Sequence, residues 1–513
     1  MFIQENVYAI LGHGNFQRRL LFTGMLSVVV LLLHAFANFL IGRDVDHWCR
    51  PPDDLSHVSR EAWRNVAIPI EADGSLSQCT VYHPAMPTPD DAGELRTVIP
   101  CYHWDYDTQD VSDSIVSRWD LVCNKRWLYK FTTVANMLGA TLLVPAAGFV
   151  SDRIGRQLAI MGSVLCLLAS SVACSVAQTF LMFLVTRFFV SAASCSVQVL
   201  MFILIYEVTG NQNRATYGVL DTALGTTLVP PALHVLSYSG APLGHGPLGT
   251  AAAHVHARFL VLPSRRVPHL ASLHGKSTCR GGSRRGSSDY VNLAYYGLVL
   301  QNTDTGHIWR TIHMVVQALL YASVCWYISD HGQRETLSIL LAFLCASAIV
   351  HAAASATMAA PVSSAVALVV ESLASAALSV NYGYTAEVFP TTVRSIGLTI
   401  SYAFGRMGVI TASVIVVLWG GPNEADVPLG VVVAALALLS AVSIQWLPEI
   451  IARKTEKSGC GSEKERKEAI LASLSSAVKP AKHPINTRRR SSGSVTLSLS
   501  KTRTTATRPT NCL

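Results

Sequence analysis

Charge is what this chain has least of. Asp, Glu, Lys and Arg make up 14% of its 513 residues, against roughly 25% in average soluble domains. That leaves too little polar surface to clothe a soluble protein of this length. The sequence marks of catalysis are also missing: there is no GxSxG, no HExxH and no paired-cysteine zinc spacing, which argues against an enzyme or a metal centre. A phosphate-binding glycine loop is absent too, so a pump driven by ATP is not expected and no cofactor is implied. No Asn-X-Ser/Thr acceptor occurs, so no N-glycan is expected. The apolar run from Leu20 to Ile41 is too long for a signal-peptide core and has no small-residue cleavage site after it, so it is expected to remain as a span.

What fills the chain instead is apolar sequence, 50% of all residues. A hydrocarbon core of about 30 Å needs about twenty residues of helix, and runs of that kind fall at 20–41, 127–150, 157–177, 180–206 and 216–238. A second group falls near 308–328, 336–357, 362–385, 396–419 and 427–447. Arg18 and Arg19 precede the first run and hold residues 1–19 in the cytosol. Residues 450–513, rich in Lys, Arg, Ser and Thr with Arg488, Arg489 and Arg490 in a row, form a basic cytosolic tail. The net charge of +8 therefore follows the positive-inside bias and calls for no nucleic acid.

Residues 42–126 form a polar insert between the first two spans, with fifteen acidic residues against eight basic. Its expected side is extracellular, where Cys49, Cys79, Cys101 and Cys123 read as two disulfides with three possible pairings. The stretch 239–289 mixes Arg, His, Ser, Pro and Gly without helical periodicity, as in LPSRRVPHLASLHGKSTCRGGSRRG. It reads either as a cytosolic loop or as sequence from a shifted frame or another exon.

The charges that do occur between the spans are repeated. Glu207 and Arg214 recur 180 residues later as Glu387 and Arg394, and Asp152 in GFVSDRIGR is echoed 178 residues later by Asp330 in ISDHGQR. Two unrelated pairs at nearly one offset indicate duplicated halves, 20–238 and 290–449, of a helical membrane transporter.

These segments closely resemble the organic ion transporters of solute carrier family 22, within the major facilitator superfamily. The resemblance rests on ILGHGNFQRR at 10–19, DHWCRPP at 46–52, CYHWDYD at 101–107 and SRWDLVCNKRWL at 117–128. It continues in GFVSDRIGR at 148–156, LAYYGLVL at 293–300 and YTAEVFPTTVRSIGL at 384–398. It implies an all-α fold of twelve transmembrane helices in two six-helix halves, multi-pass in the plasma membrane with both termini cytosolic. The family's Pro-Glu-Ser-Pro-Arg motif after the sixth helix has no match here, so 239–288 departs from the family. The resemblance implies transport of small organic ions, anions favoured, by alternating access as exchanger or facilitative carrier. The alternative, if the sixth helix of a chain made as written does not insert, is a defective or non-transporting member.

For the repeated charges the resemblance implies a cytosolic latch. Asp152 and Arg153 are expected to meet the Arg394 region, Asp330 and Arg214 to form the repeat-related pair, and Glu207 and Glu387 to support Arg156 and Arg334. Gly148 and Gly155 would permit close helix approach and a tight turn, and Asp152 would face the free amides of the helix beginning near 157.

Arg406 lies about ten residues into its span, so at 1.5 Å per residue it is about 15 Å deep. An arginine there costs roughly 2.5–3.5 kcal/mol on insertion scales and should face a cavity or a partner. Organic anion members of the family carry arginine at this place, which makes Arg406 the candidate for the anionic group of a substrate. Glu371, at similar depth in the preceding span, is the alternative, structural partner. Tyr295 and Tyr296 stand in the stretch resembling the seventh helix, either lining the cavity or anchoring a membrane interface. Asn38 is expected to line the cavity from the first helix. Tyr321 stands where organic anion members often carry lysine; with Glu371 it leaves organic cations or carnitine-like zwitterions as the competing substrates. The expected partners are a small organic ion and the lipid bilayer.

Overall fold

The computed structural model describes residues 14–238 and 307–445, apart from 43–44, 56–57, 72–73, 86–95, 108–113, 211–212, 358–359, 392 and 419–421. The LAYYGLVL stretch and the tail lie outside the described residues, as does 239–288.

Among the described residues, ten long helices carry the fold: α1 (Asn15–Ile41), α4 (Arg126–Ile154), α5 (Arg156–Ser175), α6 (Phe180–Val208), α7 (Arg214–Tyr238), α8 (His307–His331), α9 (Gln333–Thr357), α10 (Ala360–Val388), α11 (Arg394–Leu418) and α12 (Pro422–Gln445). Each coincides with one of the ten apolar runs. The short helices α2 (Arg60–Ala67) and α3 (Ile115–Arg118) belong to the insert. Seven of the long helices are long and apolar enough to cross a membrane by length and composition, and large side chains such as Leu165, Phe343 and Trp326 point out of the bundle. This is an all-α, multi-pass membrane protein.

The way the helices pair exposes the duplication. Helices α4 and α8 begin 181 residues apart, and α7 and α11 begin 180 apart. Helix α4 packs extensively on α11, and their counterparts α8 and α7 pack on each other. Exchange of equivalent helices across the interface is what a two-fold relation between repeats requires. Helix α6 runs through the middle, buried along most of its length.

Close approach decides some residues. At Gly148 a Cβ would meet the Ser395 carbonyl and Thr399 of α11, so only glycine lets α4 and α11 close there. Gly155 holds φ at +101° between α4 and α5, and Gly332 holds +87° between α8 and α9, a region that disfavours any side chain.

The insert folds on its own small core. Strand β1 (His47–Cys49) pairs antiparallel with β4 (Trp104–Tyr106), and β2 (Thr80–His83) with β3 (Thr97–Pro100). Trp48, Trp63, Ala67 and Ile68 form the centre. The Trp63 indole donates to the Cys49 carbonyl at 2.7 Å, and the guanidinium groups of Arg60 and Arg64 lie 5.1 and 4.7 Å from the Trp48 ring. Of the three possible pairings the structure shows Cys49–Cys101 and Cys79–Cys123, each with Cα atoms 5.6 Å apart. The insert rests on the α5–α6 turn: Arg118 donates to the Ala177 carbonyl at 3.3 Å, and the Trp119 indole to that of Gln178 at 3.2 Å. It therefore sits at the end of the bundle opposite the α4–α5 turn.

Candidate functional site

At the α4–α5 end, one arginine gathers the charges of the first half. Arg156 opens α5 directly after the Gly155 turn that follows Asp152 at the end of α4, and its Nη1 donates to Asp152. Nε and Nη2 of Arg156 donate to the two oxygens of Glu207, at the end of α6, at 3.3 and 3.1 Å. A bidentate pair of this kind fixes orientation as well as charge. The same Nη2 reaches the Thr391 carbonyl of the second half at 3.2 Å. Asp152 Oδ2 accepts a hydrogen bond from the Ile396 N–H in the first turn of α11 at 3.1 Å. Arg394 completes the group, with Nη1 3.9 Å from Glu207 Oε1 and Nε donating to the Phe389 carbonyl at 3.3 Å.

Several expected contacts take a different form. Asp152 caps the amides of α11 in the other half, not those of α5 directly after it, because α4 and α11 meet closely at Gly148. Arg153 lies over the Phe149 ring at 4.3 Å and is turned away from the Arg394 region. The repeat-related latch is not assembled among the described residues. Asp330 is exposed, and Arg214 lies over the Tyr206 ring at 5.2 Å. Arg334 donates to the Gln445 carbonyl of α12 at 2.7 Å. Glu387 is left among Tyr206, Arg214 and Arg394. His331, where the first repeat has Arg153, stacks on Tyr327 at 4.0 Å.

From this cluster a column of rings runs inward, crossing between the halves. Gln333 donates to the Tyr206 hydroxyl at 3.1 Å. Tyr206 stacks on Phe202 at 5.8 Å, Phe202 meets Tyr382 edge-on at 6.3 Å, and Tyr382 stacks on Tyr402 at 5.8 Å. The column ends at Arg406, whose guanidinium lies 4.6 Å from the Tyr402 ring centroid and donates to that hydroxyl. Arg406 and Glu371 are each only 2% exposed, one on α11 and one on α10.

Beside the column, hydroxyls join α7, α8 and α10. Thr226 is 2.9 Å from the Tyr321 hydroxyl, which is 2.7 Å from Ser375 and 3.2 Å from Ser379. Thr222 donates to Ser379 at 2.6 Å, and Gln317 to Ser375 at 3.1 Å. Sequence reasoning singled out Tyr321 alone in this network and missed Tyr206 and Gln333. Hydroxyls and amides inside a span carry no charge to mark them. Asn38 is on α1, but its side chain, like Tyr295 and Tyr296, lies outside the described residues.

Residues 99–227 match the family model for sugar (and other) transporters. Solute carrier family 22 member 7 of Mus musculus is 26% identical over 82% of this chain and 90% of its own. The Homo sapiens form is 24% identical over 88% and 94%. Solute carrier family 22 member 16 of Bos taurus is 23% identical over 92% and 96%. A bacterial homologue of the iron transporter ferroportin in an outward-facing state aligns over 63% of this chain and 90% of its own, with 13% identity and a TM-score of 0.47. The protein is a membrane transporter of the major facilitator superfamily. Along most of its length the chain is similar to members of solute carrier family 22.

Proposed function

We propose that this protein moves small organic ions across the plasma membrane by alternating access, with organic anions favoured, driven by exchange or by an existing gradient. Arg406 carries the reading. It is a guanidinium buried within the bundle, held against Tyr402 at the inner end of the aromatic column. A cation in a low-dielectric site attracts an anionic group and offers it paired N–H donors. The Arg156–Asp152–Glu207 cluster and the column above it bridge the halves at one end, so this is the closed end of the conformation seen. Opening would separate Asp152 from Ile396 and Arg156 from Thr391. With N- and C-termini in the cytosol, that end is the cytosolic one.

A second reading has its own observation. Glu371 is as buried as Arg406, and a carboxylate inside the bundle favours an organic cation or a carnitine-like zwitterion. Uptake of p-aminohippurate and of tetraethylammonium, normalised to surface protein, separates the two. Anion uptake lost in Arg406→Asp supports the first reading; cation uptake lost in Glu371→Gln with anion uptake absent supports the second.

A further inference from the structure

Seven residues into α7, about 10 Å from its start at the helical rise, stands Asp221, with none of its side chain open to solvent. Neither carboxyl oxygen has a hydrogen-bond partner among the described residues. Helices α1 and α6 close over it. A Cβ added at Gly24 would fall on Asp221 Oδ1 and on Ile205, and one turn further on a Cβ at Gly225 would strike Val28 of α1. A glycine on each helix thus lets α1 and α7 shut on the carboxyl.

Several charged and titratable groups on the surrounding helices are engaged with other residues, and those of α1 stand away from Gly24 in sequence. On α6, Glu207 holds Arg156 and Tyr206 accepts from Gln333. On α8, Tyr321 serves the hydroxyl network, and on α10, Tyr382 stacks on Tyr402 while Glu387 lies between Arg214 and Arg394. On α1, Arg19 is exposed five positions before Gly24, and His34 is ten positions after it. A metal cation needs a shell of oxygens, whereas neither Asp221 oxygen has a polar partner among the described residues and the side chain beside Oδ1 at Gly24 is that of Ile205. The Gly24 carbonyl already accepts from Ser27 at 2.7 Å. The proton is the one cation that neutralises a carboxylate without further ligands.

An ionised carboxylate enclosed in this way is far costlier than the neutral acid. Its neighbour in sequence, Thr222, is bound to Ser379 of the second half, so movement between the halves acts on the helix turn that carries it. We propose that Asp221 is a proton-binding site. It carries a proton while α1 and α7 are closed and passes that proton to water, leaving a carboxylate, when their movement admits water. Solute movement is thereby coupled to protons. The coupling rests on the transport reading above; the proton site does not.

Two measurements on the full chain test this. In liposomes, uptake of p-aminohippurate and tetraethylammonium is compared with and without an imposed pH gradient. The ratio should change several-fold for the native protein, fall to one in Asp221→Asn and be kept by Asp221→Glu. A native ratio of one, or an Asp221→Asn ratio equal to the native one, overturns the coupling. Absence of any uptake removes the transport reading and the coupling with it. Infrared spectroscopy of the purified protein at neutral pH should show a carboxylic-acid C=O band that Asp221→Asn lacks. If that band is missing from the native spectrum, or unchanged in the variant, the proton site itself is overturned.

Discussion

The carboxylate of Asp152 accepts the Ile396 N–H at 3.1 Å across 244 positions of sequence. The amides of a helix's first turn have no partner within the helix and favour negative charge, so a first-half carboxylate caps the helix that opens the second half's charged segment. Asp152→Ala would leave that amide without its acceptor and remove one carboxylate from Arg156, which keeps Glu207 and the Thr391 carbonyl. Losing about 1.4 kcal/mol on the closed state is a tenfold shift in the closed–open balance. Uptake at equal surface expression should fall by about that factor or more, and less in Asp152→Asn, which keeps an acceptor. Normal uptake by Asp152→Ala would show that the contact has no part in gating.

Because Arg394 lies nearest Glu207 and not Asp152, exchanging the charges of Asp152 and Arg394 should not rescue the single reversals. Paired measurements of uptake and surface expression check this; recovery in the double variant would restore direct pairing.

The insert should contain two crossed disulfides. Non-reducing peptide mapping should recover Cys49 linked to Cys101 and Cys79 to Cys123, with no thiol among them open to alkylation. Each bond typically stabilises by about 2–4 kcal/mol, so replacing either pair by serine should lower the insert's melting temperature and cut surface expression. A different pairing would mean a different arrangement of β1–β4.

Tyr106 gives the insert a pH dependence. Burial, then the hydrogen bond to Asp120 at 2.9 Å, pushes its phenol well above the usual range. A group whose pKa is raised by folding stabilises fully below its unfolded value, about 10 for tyrosine, and loses that contribution as pH rises beyond it. Thermal unfolding should therefore show the native insert losing stability between pH 9 and 11 more steeply than Tyr106→Phe. Parallel curves would contradict the sign.

Arg406 and Glu371 bear on substrate charge. Under the anion reading, Glu371→Gln should preserve or raise anion uptake at normal expression. If the two residues support each other structurally, both Arg406→Asp and Glu371→Gln should reduce folded surface protein several-fold, since a buried charge then loses its partner. Tracer uptake beside surface labelling distinguishes these results.

The ten spans were legible because long apolar runs have few alternatives once they enter a bilayer, and the helices begin and end within a few residues of those runs. Asp152, Glu207 and Arg394 were legible through their repeat, and Arg406 through the cost of placing charge at depth. The disulfide pairing was not, since it depends on how β1–β4 associate. Nor was the failure of Asp330 to meet Arg214: His331, Gly332 and Gln333 stand where the first copy has Arg153, Ile154 and Gly155, and the stacking of His331 on Tyr327 shows only in the folded helix. Asp221 carried a readable signal, a carboxylate within an apolar span, but its enclosure by Gly24 and Ile205 needed the packing of α1 and α6. The aromatic column left no pattern, being spread over three helices from both halves.

The central claim is solute transport gated by the Arg156 cluster, and a charge exchange in a defined membrane tests it most directly. Full-length protein in liposomes should take up p-aminohippurate saturably above protein-free vesicles. Arg156→Glu and Glu207→Arg should each reduce that uptake about tenfold or more, as expected for loss of a bidentate, partly buried pair. The double variant should recover a substantial part of it. Well-folded native protein with no saturable uptake of this anion or of tetraethylammonium would contradict the transport claim, and full activity in both single variants would contradict the gate.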